Sequence, residues 1–384
     1  MERIFPRAAG SHASPEGYLT VIQSKSAVLK SLPPIAAVPL RTGVNSLRAL
    51  VKELQIVLAH IAAKRDALAS AYYLIVCGQF AREHRAVLRG KIAYLNADYA
   101  KKTSIARLRR NIHRLEKGLI MRPRRAIFAE DYIVETVRDF KHACDGIVDE
   151  AERVWARDVL RFYFTVVGSS RKIEFARQLF EAGTSKNGGG HCLPYTSAQR
   201  VQSTVSYSEL LTLFQQRRST RWFLPRSVSR HLVEKAVFAA SFAPSACNRQ
   251  PFHYIVIQDT ARATAIGKLA GGTVGFAENI QCLIVSVGDL SSYIEERDRH
   301  LIYIDTSLAN MQLMLAFETL GLSTCAINWP DIGSAEQAVS RELQLNGHER
   351  VIMLMAVGYA DPDGGIPYSQ KKPSEMLIHW DAEA

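Results

Sequence analysis

Hydrophobic and polar positions in the C-terminal half of the chain follow a helical period in two short segments. Ser206 and Glu209 have the spacing of a capping box and predict a helix that runs to about Gln216. A second helix is predicted from about Ser229, because apolar residues recur there every three or four positions. The residues on that face are Leu232, Val233, Ala236, Val237 and Ala240.

Short apolar runs bounded by turn residues follow these helices and predict buried strands. The four predicted strands are 253–258, Cys282–Val287, Ser323–Ile327 and Val351–Val357. A long apolar helix is predicted from Asp305 to Leu320, and it ends at Gly321, a residue type suited to a helix C-terminus. Helices and strands in this mixed order indicate an α+β or α/β domain.

The N-terminal half shows helical spacing without strand-like alternation. Ser46 is placed to cap a helix with one apolar stripe, and helical spacing continues with breaks to about Phe180. The stripe consists of Leu47, Leu50, Val51, Leu54, Leu58 and Ile61. These patterns predict four segments, which are a flexible lead at 1–44, a helical N-terminal domain at 45–182, a Gly- and Ser-rich linker at 183–205, and a C-terminal domain at 206–384.

Composition narrows the class of protein only moderately. The chain has 384 residues and a formal net charge of +11, which leaves room for two domains and is compatible with an anionic partner. Its six cysteines are scattered without a C-x-x-C pair, so reduced thiols are expected rather than disulfides, and no metal site is predicted. The N-terminus lacks the apolar core of a signal peptide, and no apolar run near the start reaches the ~20 residues of a membrane span. A cytoplasmic location is therefore predicted.

Much of the positive charge lies in residues 101–125, which hold ten Lys or Arg against one Glu. One interpretation is a binding site for a polyanion, such as nucleic acid, an acidic lipid surface or a phosphorylated substrate. The other is a solvated helix face that forms ion pairs with acidic neighbours, such as those in 130–139. Because no nucleic-acid-binding motif accompanies the charge, binding to nucleic acid is not predicted.

Unusual polar residues are concentrated at two places in the C-terminal domain. The connection between the second helix and the first strand contains APSACNRQPF, which is longer than the usual connection of about 2–6 residues. The segment 217–223, RRSTRWF, ends the first helix. If this segment is extended, it places two guanidinium groups and a hydroxyl on one side, which suits a phosphate or a planar anionic edge.

These two stretches together resemble the opening of the nitroreductase family of flavin enzymes. Later stretches continue the resemblance in the family's order, so that it covers roughly 205–380. They read YIDTSLA with FETLGLST, then AINWPD, then VIMLMAVGYADPDGG, and finally IPYSQKKP. The resemblance implies an α+β fold with a mixed sheet flanked by helices, preceded here by the mostly α-helical N-terminal domain.

The resemblance also implies an FMN site that two copies of the chain share in a homodimer. Arg217, Ser219 and Arg221 would hold the phosphate and the pyrimidine side of FMN, and Arg221 would support negative charge on the reduced ring. Loop residues would line the ring and the ribityl chain, backbone after the third strand would approach flavin N5, and a lysine would contact the phosphate. These further positions are Pro244, Ser245, Ala246, Asn248, Asn328, Trp329, and Lys371 or else Lys372; Arg218 and Gln250 complete the predicted set.

The implied activity is an FMN-dependent oxidoreduction, with NAD(P)H as electron donor and an unidentified small organic acceptor. Since the flavin carries this chemistry, no catalytic side chain is predicted. Two alternatives stay open. One is a non-catalytic or regulatory protein of the same fold that binds an anionic partner through its basic helices. The other is a different flavin reaction on this fold, such as dehalogenation, azoline oxidation or flavin fragmentation.

The chain departs from the family pattern at three places. Residues 270–281 offer no lysine, Asn328 and Trp329 replace a common Glu-Gly pair, and Cys247 stands where Ser or Thr is frequent. These departures affect the expected electron donor and acceptor pocket more than the expected binding of FMN.

Overall fold

The structure is a computed structural model that describes residues 50–51, 53–99, 105–144, 149–182 and 192–381. The chain divides into two compact units, one up to Ala81 and one from Arg82 onwards. The predicted lead at 1–44 lies outside the described residues, as do residues 183–191 of the predicted linker. The division into a helical domain and a C-terminal domain therefore stays a prediction.

The first unit is helical where it is described. Residues 53–62 form a helix, followed by the short helix Asp66–Ala71 and a π-helical turn at Tyr72–Cys77. The apolar stripe predicted for this helix is exposed at Leu54 and Ile61. Ser46, its predicted cap, lies outside the described residues.

The second unit begins with a group of helices. The first of these helices buries few apolar side chains, whereas the later ones bury more because they share a core. They are α1 (Ala81–Tyr99), α2 (Ile105–Leu119), α3 (Ile133–Cys144), α4 (Glu150–Val166) and α5 (Arg171–Glu181). No strand occurs among the described residues from 50 to 182, as the helical spacing predicted.

Helical periodicity explains how α2 to α5 pack together. Leu108, Ile112 and Leu115 recur on one face of α2 and are fully or almost fully buried against α3, α4 and α5. Asp149 caps α4 by accepting a hydrogen bond from the Ala151 amide at 2.9 Å. Burying each large aliphatic side chain of this core contributes about 1.5–3 kcal/mol.

The predicted α+β class is confirmed by a sheet in the C-terminal half. It has the order β1-β2-β4-β3, and each neighbouring pair of these strands is antiparallel. A parallel bridge between Ser219 and Thr324 adds a short mixed edge beside β3. The strands lie within a residue or two of the predicted bounds, at β1 (Phe252–Ile257), β2 (Cys282–Asp289), β3 (Ser323–Asn328) and β4 (Glu349–Gly358).

Helices cover both faces of the sheet, as the buried apolar residues on both sides of the strands require. On one face α8 and α10 pack against β2 and β4, and on the other face α7 and α9 do so. The capping box predicted at the start of α6 is present. The helices of this half are α6 (Tyr207–Gln216), α7 (Arg230–Ala240), α8 (Thr260–Leu269), α9 (Leu301–Thr319) and α10 (Gly333–Glu342).

The central helix α9 differs from the prediction at its start. It begins at Leu301, four residues before the predicted Asp305. The missed turn at 301–304 reads Leu-Ile-Tyr-Ile and is itself apolar, so the apolar pattern does not mark where the helix begins. The end was predicted correctly, since Gly321 adopts φ +76°, a conformation that glycine reaches without strain.

The basic segment contributes several of its side chains to the fold, as far as the structure describes it. Arg107 is buried and pairs with Asp139 at 2.6 Å. Arg109 pairs with Glu152, and the Arg114 guanidinium lies 3.7 Å from the centre of the Tyr132 ring. These three cations are therefore engaged within the protein, whereas residues 101–104 lie outside the described part.

Candidate functional site

The loop that leads into β1 has a compact and strained backbone. Cys247, Asn248 and Gln250 all have positive φ, at 53°, 52° and 49°. Residues other than glycine adopt this conformation rarely, and it persists only where surrounding contacts enforce it. Ser245 supplies two of these contacts, since its carbonyl accepts from the Asn248 amide at 2.9 Å and its hydroxyl from the Gln250 amide at 3.1 Å.

A buried carboxylate on α9 holds the loop from one side. Asp305 is 2% exposed, and its Oδ2 accepts hydrogen bonds from the Ala246 amide at 2.9 Å and the Tyr293 hydroxyl at 3.3 Å. Burial raises the pKa of the Asp305 carboxyl, and these two hydrogen bonds oppose the rise. Arg249 stacks over the Tyr293 ring at 4.6 Å. Asp305 thus fixes the backbone at Ala246, one of the predicted flavin contacts.

An arginine from α2 holds the other side of the loop. Arg109 Nε donates to the Asn248 carbonyl at 2.8 Å, and its Nη2 donates to Gln250 Oε1 at 3.0 Å. The guanidinium group is itself held by Glu152 and lies 5.5 Å from the centre of the Trp155 ring. Helices that precede the sheet in the chain therefore contact the predicted flavin loop directly.

The side chains of the loop differ in their availability to a ligand. Both ends of the Gln250 amide are bonded within the chain, because Nε2 also donates to the Ser241 carbonyl at 2.6 Å. Within the described part of the protein, nothing hydrogen-bonds the side-chain amide of Asn248. Pro244 is exposed, and Ser245 and Ala246 are half-buried. Asn248 is thus placed to meet a ligand, whereas Gln250 is placed to shape the loop.

The arginine-rich segment after α6 lies beside β3 and is extended. The Thr220 amide donates to the Thr324 carbonyl at 3.0 Å, next to the bridge formed by Ser219. Arg221 Nη1 donates to the Ser219 carbonyl at 3.3 Å, while Arg218 is half-buried. Arg217 Nε is buried and has no hydrogen-bond partner among the described residues.

An asparagine from the turn before β2 anchors this segment. Asn279 Oδ1 accepts from the Phe223 amide at 2.5 Å, and Asn279 Nδ2 donates to the Phe223 carbonyl at 3.1 Å. Phe223 is 2% exposed, so water does not replace either hydrogen bond. This side chain fixes the chain two residues after Arg221.

At the end of β3, the backbone and not the Trp329 indole is available to contact a ligand. The Trp329 side chain is buried, and its Nε1 donates to Glu336 Oε1 at 2.5 Å. Glu336 in turn pairs with Arg350 at 3.2 Å. The indole thus belongs to the core, while Asn328 is exposed at the strand end. Lys371 and Lys372 are also exposed, and no described residue hydrogen-bonds their ammonium groups.

The two groups of predicted residues lie at opposite corners of one sheet. Ser219 is level with Thr324, near the end of the sheet where β2 begins, and the loop enters β1 at the other end. The two edges are three strand spacings apart, or about 14 Å, and the two levels differ by about 20 Å along the strands.

The helix α9 also places the two groups about 20 Å apart. Asp305 near its start holds the loop, and Glu318 near its end accepts from Gln216 Nε2 at 3.4 Å, just before the arginine-rich segment. Thirteen residues of helix span about 20 Å. Burial raises the pKa of the Glu318 carboxyl, and the Gln216 hydrogen bond and the Arg217 charge oppose the rise. Among the described residues, the two groups therefore do not meet within one chain.

Comparison with known proteins identifies the family. The model of the Nitroreductase family matches residues 214–274 and 268–359. A protein of Archaeoglobus fulgidus, provisionally named an NADH dehydrogenase/NAD(P)H nitroreductase, is 30% identical over 152 residues, which are 39% of this chain and 82% of that protein. The chain therefore belongs to the nitroreductase family through its C-terminal half.

Other relatives carry two kinds of name. An NADH dehydrogenase of Thermus thermophilus is 25% identical over 211 residues, which are 47% of this chain and all of that protein. An iodotyrosine dehalogenase 1 homolog of Caenorhabditis elegans is 25% identical over 204 residues, which are 46% of this chain. The match covers 61% of the Caenorhabditis elegans protein, less than two thirds of its length.

Solved structures match the same half of the chain. An FMN-dependent nitroreductase of Clostridium difficile aligns with a TM-score of 0.39 and 21% identity, over 44% of this chain and 98% of that one. A nitroreductase family protein of Streptococcus pneumoniae aligns with a TM-score of 0.39 and 21% identity, over 45% of this chain and all of that one.

The sequence did not predict that Arg109, Asp305 and Asn279 support the candidate site residues. Arg109 lies among many other basic residues of α2, and nothing local separates it from them. Asp305 did carry a signal, because a carboxylate within an apolar helix needs a buried partner. Asn279 lies in a short segment before β2 in which no local pattern marks it as a partner of Phe223.

Replacing Asn279 with alanine should destabilise the protein. Each buried backbone group of Phe223 that loses its partner costs about 1–3 kcal/mol. Urea denaturation should show this loss as a lower midpoint, and Asn96→Ala, an exposed helical position, should leave the midpoint nearly unchanged. Equal midpoints for the two variants would contradict the anchoring role of Asn279.

Replacing Arg109 with alanine should loosen the loop before β1. The Asn248 carbonyl and the Gln250 amide oxygen would lose their charged donor, which costs about 1–3 kcal/mol. Hydrogen exchange at the amides of residues 246–250 should accelerate about tenfold or more. Arg110→Ala on the same helix is the control and should leave this exchange unchanged. Identical exchange in the two variants would show that α2 does not hold the loop.

Proposed function

We propose that the chain is an FMN-dependent oxidoreductase that works as a homodimer with two shared sites. It would take electrons from NAD(P)H and pass them to a small organic acceptor. The observation that carries this proposal is the placement of two groups of hydrogen-bonding residues at opposite ends of α9. A second copy, related by a twofold axis, would bring the arginine-rich segment of one chain to the loop of the other.

The free groups at both corners fit the phosphate and ring of FMN. The buried Nε of Arg217 lacks a protein partner, and an unpaired buried donor of this kind costs free energy unless a ligand accepts from it. A phosphate oxygen is a suitable acceptor for a guanidinium group. At the other corner, the Asn248 amide is free to donate to and accept from a flavin edge.

FMN, when bound, would supply a ring that takes up and returns a hydride equivalent. The chain's own residues would bind and orient it. Arg217, Ser219 and either Lys371 or Lys372 would hold the phosphate, while Arg221 would place its positive charge beside the pyrimidine edge. Pro244 and Ser245 would cover the ring, and the backbone at 328–329 would face its N5 edge. The buried Trp329 indole, held by Glu336, would keep that backbone in place.

The helical N-terminal region would brace the loop and border the acceptor space. A cavity of about 530 Å³ lies between α2, α7 and β1, and its lining includes Arg109, Val237, Gln250 and Tyr254. The Tyr254 hydroxyl is buried without a hydrogen-bond partner among the described residues. Such a cavity is of the size that small-molecule sites have. The helices would thus select the acceptor.

Reductive dehalogenation is the second candidate function. It is supported by the similarity to the iodotyrosine dehalogenase 1 homolog of Caenorhabditis elegans. The same flavin site would serve both reactions, so the acceptor decides between them. Iodide release from an iodinated phenol by the reduced protein would favour dehalogenation, whereas reduction of a nitroaromatic compound alone would favour the first proposal.

Replacing Arg221 with alanine should weaken FMN binding. Loss of one charge-assisted hydrogen bond corresponds to about 1.5–3 kcal/mol, or roughly a tenfold to hundredfold higher dissociation constant. Fluorescence titration of FMN measures this constant, and Arg230→Ala, an exposed position on α7, should leave it unchanged. Absence of FMN binding by the unaltered protein would refute the proposed function.

A further inference from the structure

A second cavity, of about 420 Å³, lies between α1 and the chain that connects α10 to β4. Positive charge dominates its lining, which has five arginines against two glutamates. The charged residues are Arg82, Arg85, Arg89, Arg341, Arg350, Glu336 and Glu349. None of these residues belongs to the predicted flavin set, so the cavity is a separate feature of the fold.

Three of the arginines come from one face of α1. Arg82, Arg85 and Arg89 are spaced three and four residues apart, which places them on one side of the helix. Arg85 and Arg89 form no ion pair with any carboxylate that the structure describes. Arg82 pairs with Asp331 at 2.6 Å, yet its Nη1 is buried without a partner among the same residues.

The two glutamates of the lining are already engaged by other groups. Glu336 accepts from Trp329 and pairs with Arg350. Glu349 Oε2 accepts from the Asn346 amide at 2.6 Å and from its side chain at 2.9 Å. Arg85, Arg89 and Arg341 thus keep their charge without a neutralising carboxylate from the described chain.

A deeply buried arginine with an unused donor also lines the cavity. Arg350 is only 8% exposed, and its Nε has no hydrogen-bond partner among the described residues. Its other two nitrogens bond to Asp331 at 2.9 Å and to Glu336 at 3.2 Å. A buried guanidinium with an unused donor is costly unless water or a ligand accepts from it.

Two glycines allow the guanidinium groups to approach the backbone. A Cβ at Gly347 would clash with Arg89 Nη1, and a Cβ at Gly333 would lie 3.3 Å from Arg82 Nη1. A side chain at Gly347 would therefore force the Arg89 side chain to shift. The absence of a side chain at Gly347 and Gly333 thus leaves room for these two arginines beside the backbone.

We propose that this cavity binds a small phosphorylated molecule. Arginine forks match the oxygens of a phosphate group and are favoured where phosphate is recognised. The volume falls in the range of small-molecule sites, which run from about 300 to 1,000 Å³. Several guanidinium groups around one cavity favour a ligand with more than one negative charge. Inorganic pyrophosphate is the smallest probe with this property.

Calorimetric titration of the full chain with pyrophosphate at constant ionic strength tests the proposal. The unaltered protein should bind with saturation at one site per chain. The double variant Arg85→Ala/Arg89→Ala should bind at least tenfold more weakly, because it removes two charged donors from the cavity. Arg297→Ala, an exposed position outside the cavity, should match the unaltered protein within twofold.

Gly347→Ala gives an independent test without removing any charge. It should also weaken pyrophosphate binding about tenfold, while an unchanged circular dichroism spectrum would show that the fold is retained. Absence of saturable binding by the unaltered protein would overturn the proposal. Equal affinities for the unaltered protein, the double variant and Gly347→Ala would overturn it as well.

Discussion

The hydrogen bond between the Ala246 amide and the Asp305 carboxylate fixes one end of the candidate site to the central helix. Glu318, near the other end of the same helix, accepts a hydrogen bond from the Gln216 side chain. The rigid rise of an α-helix therefore sets the distance between the two groups of candidate residues at about 20 Å. No adjustment of side-chain rotamers closes such a gap. This spacing supports the proposed site shared between two chains, in which each chain would carry one half of two sites.

The strained loop shows how the helical region and the sheet depend on each other. Three residues with positive φ are held between Asp305 on α9 and Arg109 on α2. Strain of this kind is stable only because several contacts oppose it, and those contacts hold the backbone at Asn248 in one conformation. The helices before the sheet thus hold the candidate loop, although they lie outside the part of the chain that the family model matches.

Local patterns predicted most of the fold correctly. The apolar runs gave all four strands of the sheet, and the capping box at Ser206 gave the start of α6. These features were predictable because they depend on neighbouring residues only. The start of α9 was not, because the apolar residues 301–304 give no local sign of where the helix begins.

The supporting residues of the site were not predictable from such patterns. Arg109, Asp305 and Asn279 act across 139, 59 and 56 positions of sequence, so no local signal could pair them with the segments that they hold. The candidate flavin residues themselves came from a resemblance of motifs, and their roles rest on the proposed dimer.

Mixing two defective chains tests the shared site most directly. One chain carries Arg217→Ala and Arg221→Ala, and the other carries Ser245→Ala and Asn248→Ala. If each site combines both corners from different chains, the purified heterodimer contains one intact site and retains about one FMN, while neither homodimer retains any. If a complete site lies within one chain, the heterodimer stays as empty as its parents, and the account is wrong.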